Sequence, residues 1–220
     1  MYLPKPGSLL IAFVLIHQVA FAQTPLTGKH SITWSPFRII DFVNPGIEMG
    51  YQQLHGKNYA SSVSIGYMIN FYNTDAFSNY RGLRVALEEK KFVTFGPEFS
   101  RNYLSAEAVF LTNRYSTVGL FARDTSFNAP TYNDSFRINK QTYSLNLKFG
   151  FLLDTRFKNF YVDFSFGAGL KYKSVKRSGL VDPAAPDALP RHPNAYYESN
   201  KKGNYFTGNI PANIRLIYCF

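Results

Sequence analysis

The segment Phe160–Lys173, FYVDFSFGAGLKYK, constrains the fold more than any other. Its even positions are Phe160, Val162, Phe164, Phe166, Ala168, Leu170 and Tyr172. Its odd positions are Tyr161, Asp163, Ser165, Gly167, Gly169, Lys171 and Lys173, and only Tyr161 blurs the alternation. Successive side chains of a strand point to opposite faces, so this is a strand with one apolar face and one polar or small one. A helix would scatter both classes around its circumference. The run is long for a soluble strand and matches the roughly 9–11 residues with which a tilted strand crosses a bilayer. An apolar face opposite Asp, Ser, Gly and Lys suits a barrel with lipid outside and polar groups inside.

Composition fits the same reading. Aromatic residues make up 17% of the 220 and charged residues only 17%. Mean hydropathy is slightly negative at −0.18, which excludes a bundle of apolar transmembrane helices. A transmembrane barrel gives this mixture, because half of each strand faces a polar lumen. The formal charge of +10 suits an anionic membrane surface. The basic residues are spread over strands and loops rather than clustered on one helix, which argues against nucleic acid. Cys219 is the single cysteine, so neither an intramolecular disulfide nor a cysteine zinc cluster is expected.

The N-terminus reads as a targeting segment: Lys5, the short apolar run Leu9–Ile16, then Ala20-Phe21-Ala22. The run is shorter than the ~20 residues of a membrane-spanning helix. Cleavage is expected between Ala22 and Gln23, giving a signal peptide over 1–22, a short segment over 23–30 and one barrel domain over 31–220. A chain exported this way, with no other long apolar run, stays in a membrane only as a barrel.

Eight strands are expected: Ser31–Ile39, Ile47–Gln53, Tyr59–Phe71, Leu83–Lys90, Tyr103–Asn113, Gln141–Leu153, Phe160–Lys173 and Ile210–Phe220. The turn signals are Asn44-Pro45-Gly46 and His55-Gly56-Lys57-Asn58. Leu83–Lys90 is rich in helix formers, but Leu83, Val85 and Leu87 alternate with Arg84, Ala86, Glu88 and Lys90. Arg114–Lys140 and Ser174–Asn209 read as long polar loops, the latter holding Pro183, Pro186, Pro190 and Pro193. Numbered in order, the second, fourth and sixth connections are short, and the third, fifth and seventh long. In an all-β, antiparallel up-and-down barrel this puts the long loops at one end and the termini at the other, as in outer-membrane barrels.

Asn44-Pro45-Gly46-Ile47-Glu48-Met49-Gly50-Tyr51 resembles the "NPGxExGYE" opening of a family of small outer-membrane barrels of Bacteroidota, classed as a domain of unknown function. Ser144–Phe151, SLNLKFGF, leading into FYVDFSFGAGLKYK, and the terminal Phe220 extend the resemblance over most of the chain after residue 22. Gln52 stands where the pattern has a second Glu, and Tyr218-Cys219-Phe220 replaces a Gly-Tyr-Arg-Phe-like ending. The resemblance implies location in the cell outer membrane, amid its lipid, and a terminal Phe220 read by the outer-membrane assembly machinery; the basic outer loops are expected to be attracted to anionic lipopolysaccharide.

The inward positions hold four acids and four bases: Glu48, Arg84, Glu88, Glu107, Lys148, Asp163, Lys171 and Arg215. Isolated charges are costly in a dry interior, so these residues pair or stay wet. Eight strands leave an interior that side chains just fill, so a polar, ion-paired lumen is expected, with a narrow pore as the alternative. Catalysis is not expected. His30 and His55 lie at the short-turn end, and His192, with Ser126 or Ser135 as conceivable partners, stands in a loop without a nucleophile–base–orienter set. No metal or cofactor motif is present: there is no H-E-x-x-H, calcium loop or phosphate-cradling glycine loop. Function is expected to be structural or to lie in the long basic loops. A soluble, secreted eight-stranded ligand barrel shares the alternation with its faces exchanged. Oligomeric state is not legible from the sequence.

Overall fold

The structure is a computed structural model and describes residues 29–36, 46–55, 58–69, 78–93, 100–122, 131–155, 157–181 and 202–220. The expected signal peptide and the Ala22–Gln23 junction lie outside these residues, as do Asn44-Pro45, Ser126, His192 and the four loop prolines.

Among the described residues, nine strands form one antiparallel sheet: β1 (His30–Trp34), β2 (Gly46–His55), β3 (Tyr59–Ile69), β4 (Ser78–Val93), β5 (Ser100–Ala122), β6 (Thr131–Asp154), β7 (Phe160–Ser178), β8 (Gly203–Asn209) and β9 (Ala212–Cys219). The order is β6-β5-β4-β3-β2-β1-β9-β7-β8, and the additional β6–β7 pairing closes the sheet into a ring. Closure pairs β6 with β7 and so removes the two long edges through which an open sheet recruits other chains, while β8 has β7 as its partner among the described residues.

The expected faces are observed. In β6, Tyr143, Leu145 and Leu147 point outward and are exposed, while Thr142, Ser144, Asn146 and Lys148 are buried inside. In β7, Phe160 and Phe166 are exposed, and Tyr161, Asp163 and Ser165 are buried. Tyr161 therefore follows the inward phase of its strand and packs in an apolar cluster. Outward aromatic rings meet across strands: Phe151 stacks on Phe164 at 5.3 Å, and Phe149 meets Phe166 edge-on at 5.9 Å. Such cross-strand pairs help fix the register.

The strand ends differ from expectation, and so does the count. Arg114–Lys140 is largely not a loop: β5 and β6 pair without a break from Ser100↔Leu153 to Ala122↔Thr131. The sequence there keeps its period of two with the phase reversed. Leu111, Tyr115, Phe136 and Ile138 turn inward, and Arg114, Arg137 and Asn139 turn outward. The third connection, expected between Phe71 and Leu83, likewise contributes Ser78–Arg81 to β4. Ser174–Asn209 is shortened at both ends, because β7 continues to Ser178 and Gly203–Asn209 forms β8. That strand raises the count from eight to nine.

Between β8 and β9 stand Ile210 and Pro211, and proline has no N–H to donate to a ladder. The Pro211 carbonyl still accepts from Gly167 N at 3.0 Å, and β7 pairs with both strands in one unshifted register. From Leu216, ladder partners run through Trp34, Met49, Ile65, Val85, Phe110, Tyr143 and Tyr172 to Phe206, ten residues before the starting point. This offset is the stagger of a sheet whose strands are tilted to the ring axis.

The interior is layered. At the short-turn end lies an apolar cluster of Ala60, Phe92, Tyr103, Leu152, Tyr161, Ile217 and Cys219. At the other end Met68, Tyr80, Leu111, Tyr115, Phe121, Phe136, Ile138 and Val175 form a second. The charged residues lie between them.

Candidate functional site

Eight buried charges join into one alternating chain that crosses the ring. Arg84 Nη1 lies 2.8 Å from Glu48 Oε1, and its Nη2 3.5 Å from Glu107 Oε1. Lys148 Nζ bridges Glu107 at 3.0 Å and Glu88 at 2.8 Å. Arg215 contacts Glu88 at 2.7 Å and Asp163 at 3.3 Å, and Lys90 ends the chain 2.9 Å from Asp163. Acid and base alternate at every step, four of each.

Strand geometry explains the convergence. Glu48, Arg84, Glu88, Lys90, Glu107, Lys148, Asp163 and Arg215 all occupy inward phases of β2, β4, β5, β6, β7 and β9. β4 and β9 lie four steps apart in either direction around the ring, so the Glu88–Arg215 contact spans its full width. Neutral groups complete the acceptors. Ser64 donates to Glu48 at 2.9 Å, Ser105 to Glu88 at 2.7 Å, Asn146 to Glu107 at 2.9 Å and Tyr103 to Asp163 at 2.5 Å. The Lys90 ammonium also sits 4.6 Å from the centroid of the Tyr103 ring.

The Tyr103 ring needs the glycine opposite it. Tyr103 is the ladder partner of Gly150, and a Cβ at Gly150 would fall on the ring. The missing side chain lets the ring lie flat and carries its hydroxyl to Asp163.

Seven of the eight residues expected in the lumen belong to this chain: Glu48, Arg84, Glu88, Glu107, Lys148, Asp163 and Arg215. Lys171 does not join these ion pairs. It faces inward but is half-buried, eight residues beyond Asp163 on β7 and level with Thr207 of β8. Lys90 takes the fourth basic position. Its inward phase is visible in the sequence, but its partner Asp163 is 73 residues away and is brought to it only by ring closure. Phe220 points outward beyond β9. Its N–H donates to the His30 carbonyl at 2.9 Å, and its ring stacks on His30.

Every carboxylate of the chain faces a cation, so the acids are committed to ion pairs rather than presented to a ligand. The described histidines offer little more. His55 Nε2 lies 2.9 Å from Ser61 Oγ, and that hydroxyl donates to Glu89. The acid meets the serine and not the imidazole, so nothing orients His55 as a base. His30 is hydrogen-bonded to Tyr51.

The outward surface is the reverse of the interior. Leu145, Leu147, Leu170, Ile65 and Leu87 are each at least 58% exposed. Aromatic rings lie towards both ends of this band. Phe110, Tyr143, Tyr172 and Phe206 touch in sequence at 5.1, 6.3 and 5.0 Å, and Phe160 meets Tyr218 at 4.9 Å near the short turns. No family model matches the chain, and neither a curated protein nor a solved structure shows significant similarity to it.

Proposed function

We propose that the chain is an integral outer-membrane β-barrel of eight staves, with a structural or surface-interaction role and no enzymatic one. In this reading β8 and β9 are one stave interrupted at Ile210–Pro211. Eight staves with an offset of ten residues imply a tilt of about 40° and a rise of about 2.5 Å per residue along the axis. The outward apolar run Tyr143–Leu153 then covers about 25 Å, the height of the lipid-facing band of outer-membrane barrels. Long strands and connections face outward from the cell, and short turns and both termini face the periplasm.

The observation that carries the reading is the inverted partition, with large apolar side chains exposed outside and eight paired charges buried inside. It argues against a soluble ligand barrel, which needs its apolar face within. A continuous exposed apolar belt in water drives aggregation, whereas in lipid it is the solvent-matched surface. The Glu88–Arg215 bridge across the ring argues against a pore. The motif resemblance to the Bacteroidota barrels, the assembly role of Phe220 and the cleaved leader belong to the same proposal.

Two measurements test it. The protein is expected to stay in carbonate-washed membranes and to change gel mobility on boiling; release by carbonate without detergent refutes integration. The purified protein is expected to give no stable conductance in planar bilayers, and steady channels refute the filled lumen.

A further inference from the structure

Arg81, Arg114, Asn139 and Lys176 form one row across the outer face of β4, β5, β6 and β7, each the ladder partner of the next. Arg81 and Arg114 are directly opposed, and like charges in that position destabilise a sheet unless something lies between them. Both arginines and Lys176 are exposed, and none of the three makes an ion pair among the described residues. The row borders a cavity of ≈ 500 Å³ to which Arg81, Arg114 and Lys176 contribute from the outer face and which no acidic residue lines; Lys140, also at its wall, is on the buried inward phase. Arg114 Nε donates to Asn139 Oδ1 at 2.6 Å, which fixes the guanidinium and leaves its two Nη groups for an anion.

The lower edge of the cavity is apolar, with Tyr67 and Leu83, and the ring row Phe110–Tyr143–Tyr172 lies just beneath. Cations just beyond the aromatic belt of a membrane protein stand at the level of lipid phosphates. On these strands and the adjoining β3 a second, largely apolar cavity of ≈ 650 Å³ opens over Ala106, Ala108 and Ala168, with Glu89 at its wall. Ala108 lies six residues below Arg114, a drop of about 15 Å along the axis.

We propose that this face holds one anionic phosphorylated membrane lipid, its phosphate between Arg81, Arg114 and Lys176 and an acyl chain running down the alanine groove. The assignment rests on the membrane reading above. Both apolar and basic elements are needed, since a phosphate alone has no use for the groove and a neutral lipid none for the arginines.

The test uses the full chain, extracted in mild detergent from the outer membrane of a Gram-negative host, with lipid binding followed by native mass spectrometry. Dioleoylphosphatidic acid and monophosphoryl lipid A are expected to bind about tenfold or more tightly than dioleoylphosphatidylcholine. The double substitution Arg81→Gln with Arg114→Gln is expected to abolish that preference. Lys158→Gln, an exposed cation at the short-turn end, is expected to leave it intact. The proposal is overturned if the double variant retains phosphatidic acid as well as the parent does, if phosphatidylcholine binds equally, or if excess inorganic phosphate displaces the lipid, which would mark a site for the free ion. Carbonate extraction of the same membranes separates the two failures. A parent that is integrated but holds no lipid refutes this inference alone, and a parent that is released refutes the membrane reading and this inference with it.

Discussion

Because the buried charges form a linear alternating chain, the cost of deleting one depends on its place in the chain. Asp163 is an internal member, completely buried and touching Lys90 at 2.9 Å, Arg215 at 3.3 Å and Tyr103 at 2.5 Å. Asp163→Asn keeps the shape and an acceptor for Tyr103 but removes the charge. Arg215 retains Glu88, whereas the fully buried Lys90 loses the one carboxylate that it contacts directly among the described residues. Leaving a buried charge unpaired costs about 3–5 kcal/mol. Lys90 is a terminal member, and Lys90→Met leaves Asp163 with Arg215 and Tyr103, at a cost of about 1–3 kcal/mol. The double variant removes a matched pair and is expected to be more stable than Asp163→Asn alone, which requires a coupling larger than the Lys90→Met loss, about 3 kcal/mol. The assay is urea-dependent unfolding from bilayers, read by gel mobility and by fluorescence of Trp34, the single tryptophan. With a slope of about 2 kcal/mol/M, Asp163→Asn lowers the midpoint by about 1.5–2.5 M. A drop below about 0.3 M, or a double variant whose loss equals the sum of the two single losses, refutes the chain as an energetic unit.

Leu147 lies near the middle of the outward apolar band and is 64% exposed, so Leu147→Arg should lower folding stability in bilayers by about 2–4 kcal/mol. Gln141→Arg, above the band on the same strand, should change it by less than about 1 kcal/mol in the same urea titration. Gly150→Val forces the Tyr103 ring away from Asp163 and should cost about 1–3 kcal/mol, with Gly150→Ala milder. Cys219 is 1% exposed in the lower apolar cluster, so maleimide should label it slowly in the folded barrel and rapidly in urea, and fast labelling of the folded form would contradict its burial.

The sequence makes the faces legible because the backbone imposes their period. Phe160–Lys173 and Gln141–Leu153 read correctly, residue by residue, since any strand must send neighbours to opposite sides. Strand ends were hidden by a change of phase. Along β6, Tyr143, Leu145 and Leu147 are apolar outward, but past Thr142 the outward residues become Gln141, Asn139 and Arg137, and the inward ones Ile138 and Phe136. Beyond the outward apolar band the outer face is polar and the inner face packs a core, so the rule for sorting residues inverts while the strand runs on. A polar tract with scattered apolar residues then resembles a loop. The inward phase of all eight network residues is legible in the sequence, although the expected charge set holds seven of them and Lys171 in place of Lys90. Connectivity is not legible, because contacts such as Glu88–Arg215 depend on the height at which each residue stands after a stagger of ten around the ring. Lys171 shares the inward phase but stands well above the layer, and Lys90 has the right height.

The same inversion accounts for the layered interior. In the proposed membrane reading lipid would take the apolar side chains of the exposed band outward, so polar and charged residues are left to fill a narrow lumen, and they must arrive in matched numbers. Beyond the band at either end the apolar residues return inside, as Leu111, Tyr115 and Phe136 at one end and Leu152, Tyr161 and Ile217 at the other. The ionic layer is therefore bounded by hydrocarbon above and below as well as by the wall of the sheet. A carboxylate lost from that layer has no nearby bulk water to replace it, which is why a single charge removed there should matter more than the same change among the exposed arginines of the outer face.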